Sequence, residues 1–234
     1  MNLRGQRGAA LVLALFAISF LMALGSVLIL LSTAETLIAA NHRAAAEAFY
    51  AADAALERTL VDLNVVLDWN PVLAGAQTST FVDGPPGVRT LADGSTLDLA
   101  QVVNLATCRK TTPCSPADAA AITTERPWGP NNARWQLYAH GPLSDAAGPG
   151  TARTPFYGIV LVGDDPSEND ADPSRDGDII GGGSNSGVGV VMLRAEAFGP
   201  RHAHRAIEAT IARFDTAQPA ATAGVRMMNW RTVE

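Results

Sequence analysis

The chain contains 234 residues, of which 47% are hydrophobic and only 17% are charged, and its formal net charge is −6. The excess of acidic residues argues against nucleic-acid binding, which needs a basic face, and the apolar content is too high for a disordered chain. Two cysteines are too few for a disulfide-dense scaffold or a four-cysteine zinc site.

The first element is an apolar segment near the N-terminus. No charged residue occurs in residues 8–34, and residues 9–31 are long enough for the roughly 20 residues that a helix needs to cross a bilayer. This run is too long for the core of a cleaved secretory signal and for most buried helices, so we predict a retained transmembrane helix. Arg4 and Arg7 precede it, which predicts a cytoplasmic N-terminus and a periplasmic remainder.

The helical pattern continues beyond the apolar segment. Residues 32–68 are rich in alanine, leucine and glutamate, and neither proline nor glycine occurs between Ser26 and Pro71. Apolar side chains recur at steps of three and four, which predicts an amphipathic half with one face free to pack on a domain. The whole helix, residues 9–68, would be about 90 Å long.

An α+β domain is predicted at residues 69–215, followed by a loose tail at residues 216–234. Residues 70–100 have loop composition, with a short strand or helix expected near residues 96–104. Four strand candidates follow without intervening helices, which predicts an antiparallel sheet covered on one face by the long helix. The candidates are residues 135–140, 156–162, 188–198 and 204–214, and the last two are expected to form a hairpin.

The cysteines, histidines and some aromatic residues are further candidates for functional or structural roles. Cys108 and Cys114 enclose a short polar turn and are predicted to form a disulfide, because a periplasmic compartment can be oxidising. His202 and His204 would share one face of a strand, but no third metal ligand is identifiable, so an exposed pair is expected. Core positions are favoured for three aromatic residues: Trp128, Trp135 and Tyr138.

An acidic segment, residues 164–178, contains six aspartates, one glutamate and one arginine. Asp170, Asp172, Asp176 and Asp178 have a spacing like that of oxygen-ligand calcium loops. No glutamate follows at the distance that an EF-hand requires. Two interpretations therefore stay open: a solvated acidic loop, which is favoured, and a calcium site. No other cofactor is predicted.

Two stretches carry a resemblance to a known family: Arg7-Gly8-Ala9-Ala10-Leu11-Val12-Leu13, and residues 47–57 with the sequence EAFYAADAALE. The chain resembles type IV pilins across residues 4–60, most closely the PilX-type minor pilins, with GspK-type pseudopilins of type II secretion as neighbours. The resemblance implies that a prepilin peptidase removes residues 1–8 after Gly8 and methylates the new amine of Ala9. Implied partners are other minor and major pilins, the peptidase and the inner-membrane assembly platform, with final placement in a pilus at the cell surface.

The chain departs from the major pilins at the fifth residue of the mature sequence, where they carry a glutamate and this chain has Leu13. In a filament that glutamate pairs with the N-terminal amine of an adjacent subunit, because an unpaired carboxylate in hydrocarbon is costly. A subunit with leucine suits a position without a neighbour above it. The resemblance thus implies a structural subunit for pilus assembly or initiation, at the tip, rather than an enzyme.

Two further classes stay open beside the pilin interpretation. A permanently anchored periplasmic binding module, with calcium as its ligand, predicts that the leader is not processed. An anchored hydrolase predicts an activity that depends on one polar residue, and no catalytic motif in the sequence identifies such a residue.

Overall fold

The computed structural model describes residues 6–146, 154–168, 172–177, 187–214 and 224–233. The chain divides into two compact units, residues 1–44 and 45–234. The named elements in the described residues are, in chain order, α1 (Gln6–Asn64), α2 (Asn70–Leu73), β1 (Val88–Thr90), β2 (Thr96–Asp98), α3 (Leu99–Cys108), α4 (Pro116–Ala119), β3 (Gln136–Pro142), α5 (Leu143–Ala146), β4 (Tyr157–Asp164), β5 (Val190–Gly199), β6 (Ala203–Phe214) and β7 (Gly224–Val233).

The described part of the first unit is entirely helical. It is the N-terminal portion of α1, in which residues 9–31 lack charge. The hydroxyl groups of Ser26, Thr33 and Thr36 each donate a hydrogen bond to the carbonyl oxygen four residues earlier, at 2.8–2.9 Å. These bonds satisfy the hydroxyl groups within the helix, so the stretch has little need of water even at its few polar positions.

The second unit contains a five-stranded antiparallel sheet in the order β3-β4-β5-β6-β7, and β1 pairs with β2 in a separate hairpin. All four predicted strands are present with ends shifted by one or two residues, and the predicted β5–β6 hairpin turns through Pro200–His202. The predicted α+β class with an antiparallel sheet is confirmed.

One face of this sheet is covered by the part of α1 that belongs to the second unit. The helix contributes mostly alanines, which let its backbone approach the strands closely. The core on this side contains Ala48, Ala51, Ala52, Ala55, Leu56 and Leu63 of α1, packed with Val160, Val162, Val191, Leu193, Ala195, Ile207, Ala209 and Ile211 of the sheet. The predicted role of the helix stripe as the cover of one face is therefore confirmed.

The opposite face of the sheet is covered only in part. Leu99 and Val102 of α3 pack with Trp135, Ile159 and Leu161. As a result, all eight residues of β4 are buried. Beyond β4, this face carries charged side chains of β5, β6 and β7.

The long helix ends at Asn64, four residues earlier than predicted. The guanidinium of Arg213 in β6 donates to the carbonyl oxygens of Val66, at 2.9 Å, and Leu67, and lies 4.3 Å from the ring centroid of Trp69. A cation at this point satisfies carbonyl groups that follow the last helical turn. Pro71 does not end the helix directly, because it lies in the first turn of α2.

The prediction of a loose tail at residues 216–234 was wrong for residues 224–233, which form β7 and pair with β6. Val225 and Met227 pack against the core between the sheet and α1. This burial of apolar side chains, together with the backbone hydrogen bonds to β6, holds the segment in the sheet.

Candidate functional site

The predicted processing motif lies at the beginning of α1. The helix begins at Gln6 and includes Arg7, Gly8 and Ala9 in its first turns. Within the described residues, one helix is long and apolar enough to cross a membrane, and it is this one. Its large side chains are exposed, with 69% for Leu13 and 71% for Phe16. A continuous apolar surface of this length requires lipid or other helices around it.

The two cysteines form a disulfide in the structure, with their Cα atoms 6.0 Å apart and no free thiol left in the chain. Cys108 is the last residue of α3, and Arg109 follows in the left-handed conformation at φ 61°. Ser115 then begins α4 through reciprocal hydrogen bonds with Asp118. Bonds from Lys110 and Ser115 lower the pKa of Asp118 to about 2. The disulfide therefore closes a tight turn and leaves no thiolate for catalysis.

Only half of the proposed calcium ligands can be placed. Asp170 and Asp178 lie outside the described residues. Asp172 Oδ1 accepts hydrogen bonds from Ser174, at 2.5 Å from Oγ, and these bonds lower the pKa of Asp172. Asp176 Oδ1 accepts from the backbone nitrogen of Gly189 at 2.6 Å. Among the described residues no cluster of three or more potential metal ligands occurs, and calcium binding stays a prediction.

The side chains of His202 and His204 have different surroundings. His202 is exposed in the turn before β6, whereas the ring of His204 stacks on Phe198 with centroids 4.5 Å apart. His204 Nε2 lies 2.8 Å from Glu196 Oε2. Burial raises the pKa of Glu196, but the bonds from His204 and Arg194 outweigh it and lower the pKa overall. The metal alternative has no support in this geometry.

Glu196 belongs to a ladder of charges across the uncovered part of the sheet. Arg194 of β5 donates to Glu196 at 2.6 Å and to Glu208 of β6 at 2.8 Å. Arg231 of β7 also donates to Glu208, at 2.6 Å. Glu196 and Glu208 are almost completely buried. Glu196 is thus compensated by Arg194 of its own strand, whereas Glu208 is compensated by arginines of the two neighbouring strands, which inspection of β6 alone does not reveal.

A second polar network was also missed in the sequence. Asp83 Oδ1 lies 2.9 Å from Nδ1 of His140 and accepts hydrogen bonds from Arg89 Nε at 2.9 Å and from the Tyr157 hydroxyl at 3.0 Å. His140 and Tyr157 are buried. This network fastens the loop before β1 to strands β3 and β4. Asp83 and Arg89 are six residues apart, but His140 and Tyr157 lie 57 and 74 residues from Asp83, and the four share no motif, so no sequence signal pointed to the network.

Of the aromatic residues predicted for the core, Trp135 and Tyr138 are buried, and that prediction is confirmed for them. Burial, with the charge of Asp62 as a smaller cause, raises the pKa of Tyr138 to about 12. For Trp128 the prediction was wrong, because its side chain is 54% exposed.

The described residues combine an N-terminal helix of membrane-spanning length with an antiparallel sheet that the C-terminal part of the helix covers. Residues 7–57 match the family described as PilX N-terminal. Over these residues the chain is similar to the PilX N-terminal family, and the resemblance noted in the sequence is confirmed there. No curated protein and no solved structure matches the chain.

Proposed function

We propose that the chain is a structural minor pilin that takes part in the assembly of a type IV pilus. The match of residues 7–57 to the PilX N-terminal family carries this proposal. The α1 helix spans the inner membrane once, with the N-terminus in the cytoplasm and the sheet domain in the periplasm. Arg4 and Arg7 before the apolar stretch support this orientation.

Assembly uses the same apolar surface twice. In the membrane, lipid surrounds the exposed leucines, isoleucines and phenylalanines of α1. In the filament, helices of neighbouring pilins take the place of lipid, so the apolar side chains stay out of water throughout. Contacts between the helices, together with contacts between the outer domains, then retain the subunit.

Processing precedes assembly in this proposal. A prepilin peptidase cuts after Gly8, and the new amine of Ala9 is methylated. Leu13 then occupies the fifth mature position, where a carboxylate would otherwise pair with the amine of a neighbour. The proposed place of the subunit is therefore the tip, where it takes part in initiation. A GspK-like role in a secretion pseudopilus uses the same processing step and is the second candidate.

Mass spectrometry of the membrane-extracted chain tests this function, in strains with and without the prepilin peptidase. We expect a mature chain that begins at N-methylated Ala9 only where the peptidase is present. Gly8→Val should block the cut, whereas Gly5→Val, at the other leader glycine, should leave it intact. A chain that retains residues 1–8 in both strains would contradict the proposal and favour a permanently anchored module.

A further inference from the structure

A cleft opens on the face of the sheet opposite α1, next to the charged ladder of β5, β6 and β7. It encloses about 620 Å³, a volume typical of ligand sites. One wall is the loop that contains Arg126 and Trp128, together with Arg109 after α3, and the floor includes Arg194 and Arg231 of the sheet. The cleft is thus built from segments that the disulfide turn and the sheet hold in place.

The formal charge of the residues that line this cleft is positive, whereas the net charge of the whole chain is negative. Among the described residues, its lining includes four arginines and two glutamates, a formal surplus of two positive charges, whereas the chain carries −6. The floor is balanced once Glu196 is counted with the lining residues, because Arg194 and Arg231 are paired with the buried Glu196 and Glu208. The wall contains Arg109, Arg126 and Glu125, so its formal surplus is one positive charge.

Arg126 has carbonyl partners rather than a carboxylate in the described contacts. Its guanidinium donates to the backbone oxygens of Asp118, at 3.3 Å, and Ala119. Burial and the nearby charge of Arg109 lower the pKa of Arg126. In the described part of the chain Arg109 is paired with Glu125, and both side chains of that pair are more than half exposed. Two guanidinium groups close together favour an anion between them. Replacing Glu125 by another carboxylate costs little free energy, because an exposed ion pair is weak.

Trp128 adds an apolar surface to the same wall. Its indole is 54% exposed, and its backbone nitrogen donates to Asn132 Oδ1 at 3.1 Å, which fixes the loop. Exposed tryptophan beside arginine is a common composition of protein interfaces. A free inorganic anion would neutralise the arginines but would leave the indole in water, so the wall fits a ligand with both a carboxylate and an apolar group.

We propose that this cleft binds an acidic segment of a partner polypeptide, with a carboxylate at Arg109 and Arg126 and an apolar side chain against Trp128. Glu125 gives way to the carboxylate of the partner. The site does not depend on entry into a pilus, so the outcome of a binding test is independent of the outcome of the processing test above.

Fluorescence anisotropy with the full chain in detergent micelles tests the site. The probe is a labelled acetyl-EFELE-amide peptide, and its matched control replaces every glutamate with glutamine. We expect saturable binding of the acidic peptide that weakens as salt is added, and at least tenfold weaker binding of the glutamine peptide. Arg109→Gln and Trp128→Ala should each weaken binding at least fivefold.

Two matched variants outside the cleft separate the site from general surface effects. Arg205→Gln removes an exposed arginine of β6, and Trp230→Ala removes a tryptophan of β7 that is 55% exposed. Both should bind the acidic peptide as the parent chain does. The proposal is overturned if the acidic peptide does not bind up to 1 mM, if the glutamine peptide binds equally well, or if the cleft variants and the control variants lose binding equally.

Discussion

The carboxylate of Asp83 joins the loop before β1 to the sheet through contacts with Arg89, His140 and Tyr157. This carboxylate can only accept hydrogen bonds, so the Nδ1 of His140 is assigned as a donor to it. Burial raises the pKa of Asp83, but the bonds from Arg89, Tyr157 and His140 lower it further than burial raises it. Burial, together with the charge of Arg89, lowers the pKa of His140 by more than Asp83 raises it. The native network therefore contains an ionised acid beside a neutral histidine.

Acid should weaken this network in two steps. The pKa of His140 lies below its ordinary value of 6.5 in the folded chain, so the unfolded state binds a proton first and stability falls as pH drops below about 6.5. Asp83, whose folded pKa is below 3.8, adds a further loss below about pH 4. Thermal unfolding from pH 8 to 5 should show a decline in midpoint that is smaller in His140→Gln.

The matched control for this experiment is His202→Gln, which removes an exposed histidine of the same unit. Its midpoint should decline with pH as steeply as that of the parent chain. An unchanged slope in His140→Gln would show that the buried histidine does not control acid stability.

At the scale of elements, the contact between α1 and β4 depends on a residue without a side chain. A Cβ added at Gly158 would lie 2.9 Å from Leu143 Cδ2 and 3.2 Å from the Cβ of Ala55. We expect Gly158→Ala to lower the free energy of unfolding by about 1–3 kcal/mol, because the helix must move away from the sheet. Urea denaturation in detergent measures this change.

Gly87→Ala provides the comparison, because the nearest atom to its added Cβ is Arg89 Nη1 at 3.8 Å. Its effect should stay within about 0.5 kcal/mol. Equal losses in both variants would mean that the close approach of α1 to β4 does not limit stability.

The strands show where sequence periodicity is informative. In β6 the apolar Ile207, Ala209 and Ile211 occur at every second position, and all three side chains lie in the core shared with α1. In β7 a register shift places Asn229 opposite Thr210 and Met227 opposite Ile211, so Met228 has no residue opposite it on β6. This irregularity interrupts the period of two, so the segment had no clear strand pattern and was predicted to be loose.

The candidate sites also differ in whether the sequence alone could predict them. The N-terminal motif is contiguous, so the apolar helix could be predicted from the sequence, and Gly8 and Ala9 could be proposed as the processing site. The Asp83–His140 pair is separated by 57 residues, and the cleft combines a loop with three strands. Such sites depend on tertiary contacts, and no local pattern encodes them. The exposure of Trp128 could not be predicted from the sequence either, because the hydrophobicity of tryptophan alone favours a core position.

For the whole molecule, the proposed position at the tip predicts the effect of restoring a carboxylate. Leu13→Glu provides the group that pairs with the amine of an adjacent pilin, so the subunit gains a neighbour above it. We expect immunogold labelling of sheared pili to move from the ends of filaments to positions along the shaft. Copies per filament should rise several-fold.

Leu15→Glu is the matched control for this change, since Leu15 lies in the same apolar stretch and is also exposed. A carboxylate there is out of register with the amine, and incorporation should fall because the unpaired charge must enter an apolar environment. Labelling that stays at filament ends in Leu13→Glu would contradict the assignment to the tip.

The order of strands in the sheet has a consequence for biosynthesis. Because β3 to β7 lie side by side in the order in which they are translated, each strand of a domain exported as proposed can pair with a completed neighbour as soon as it emerges from the membrane. The helix that covers them is made first and is present as each strand arrives. No strand has to wait for a distant later one, which shortens the time that an open edge is available for aggregation.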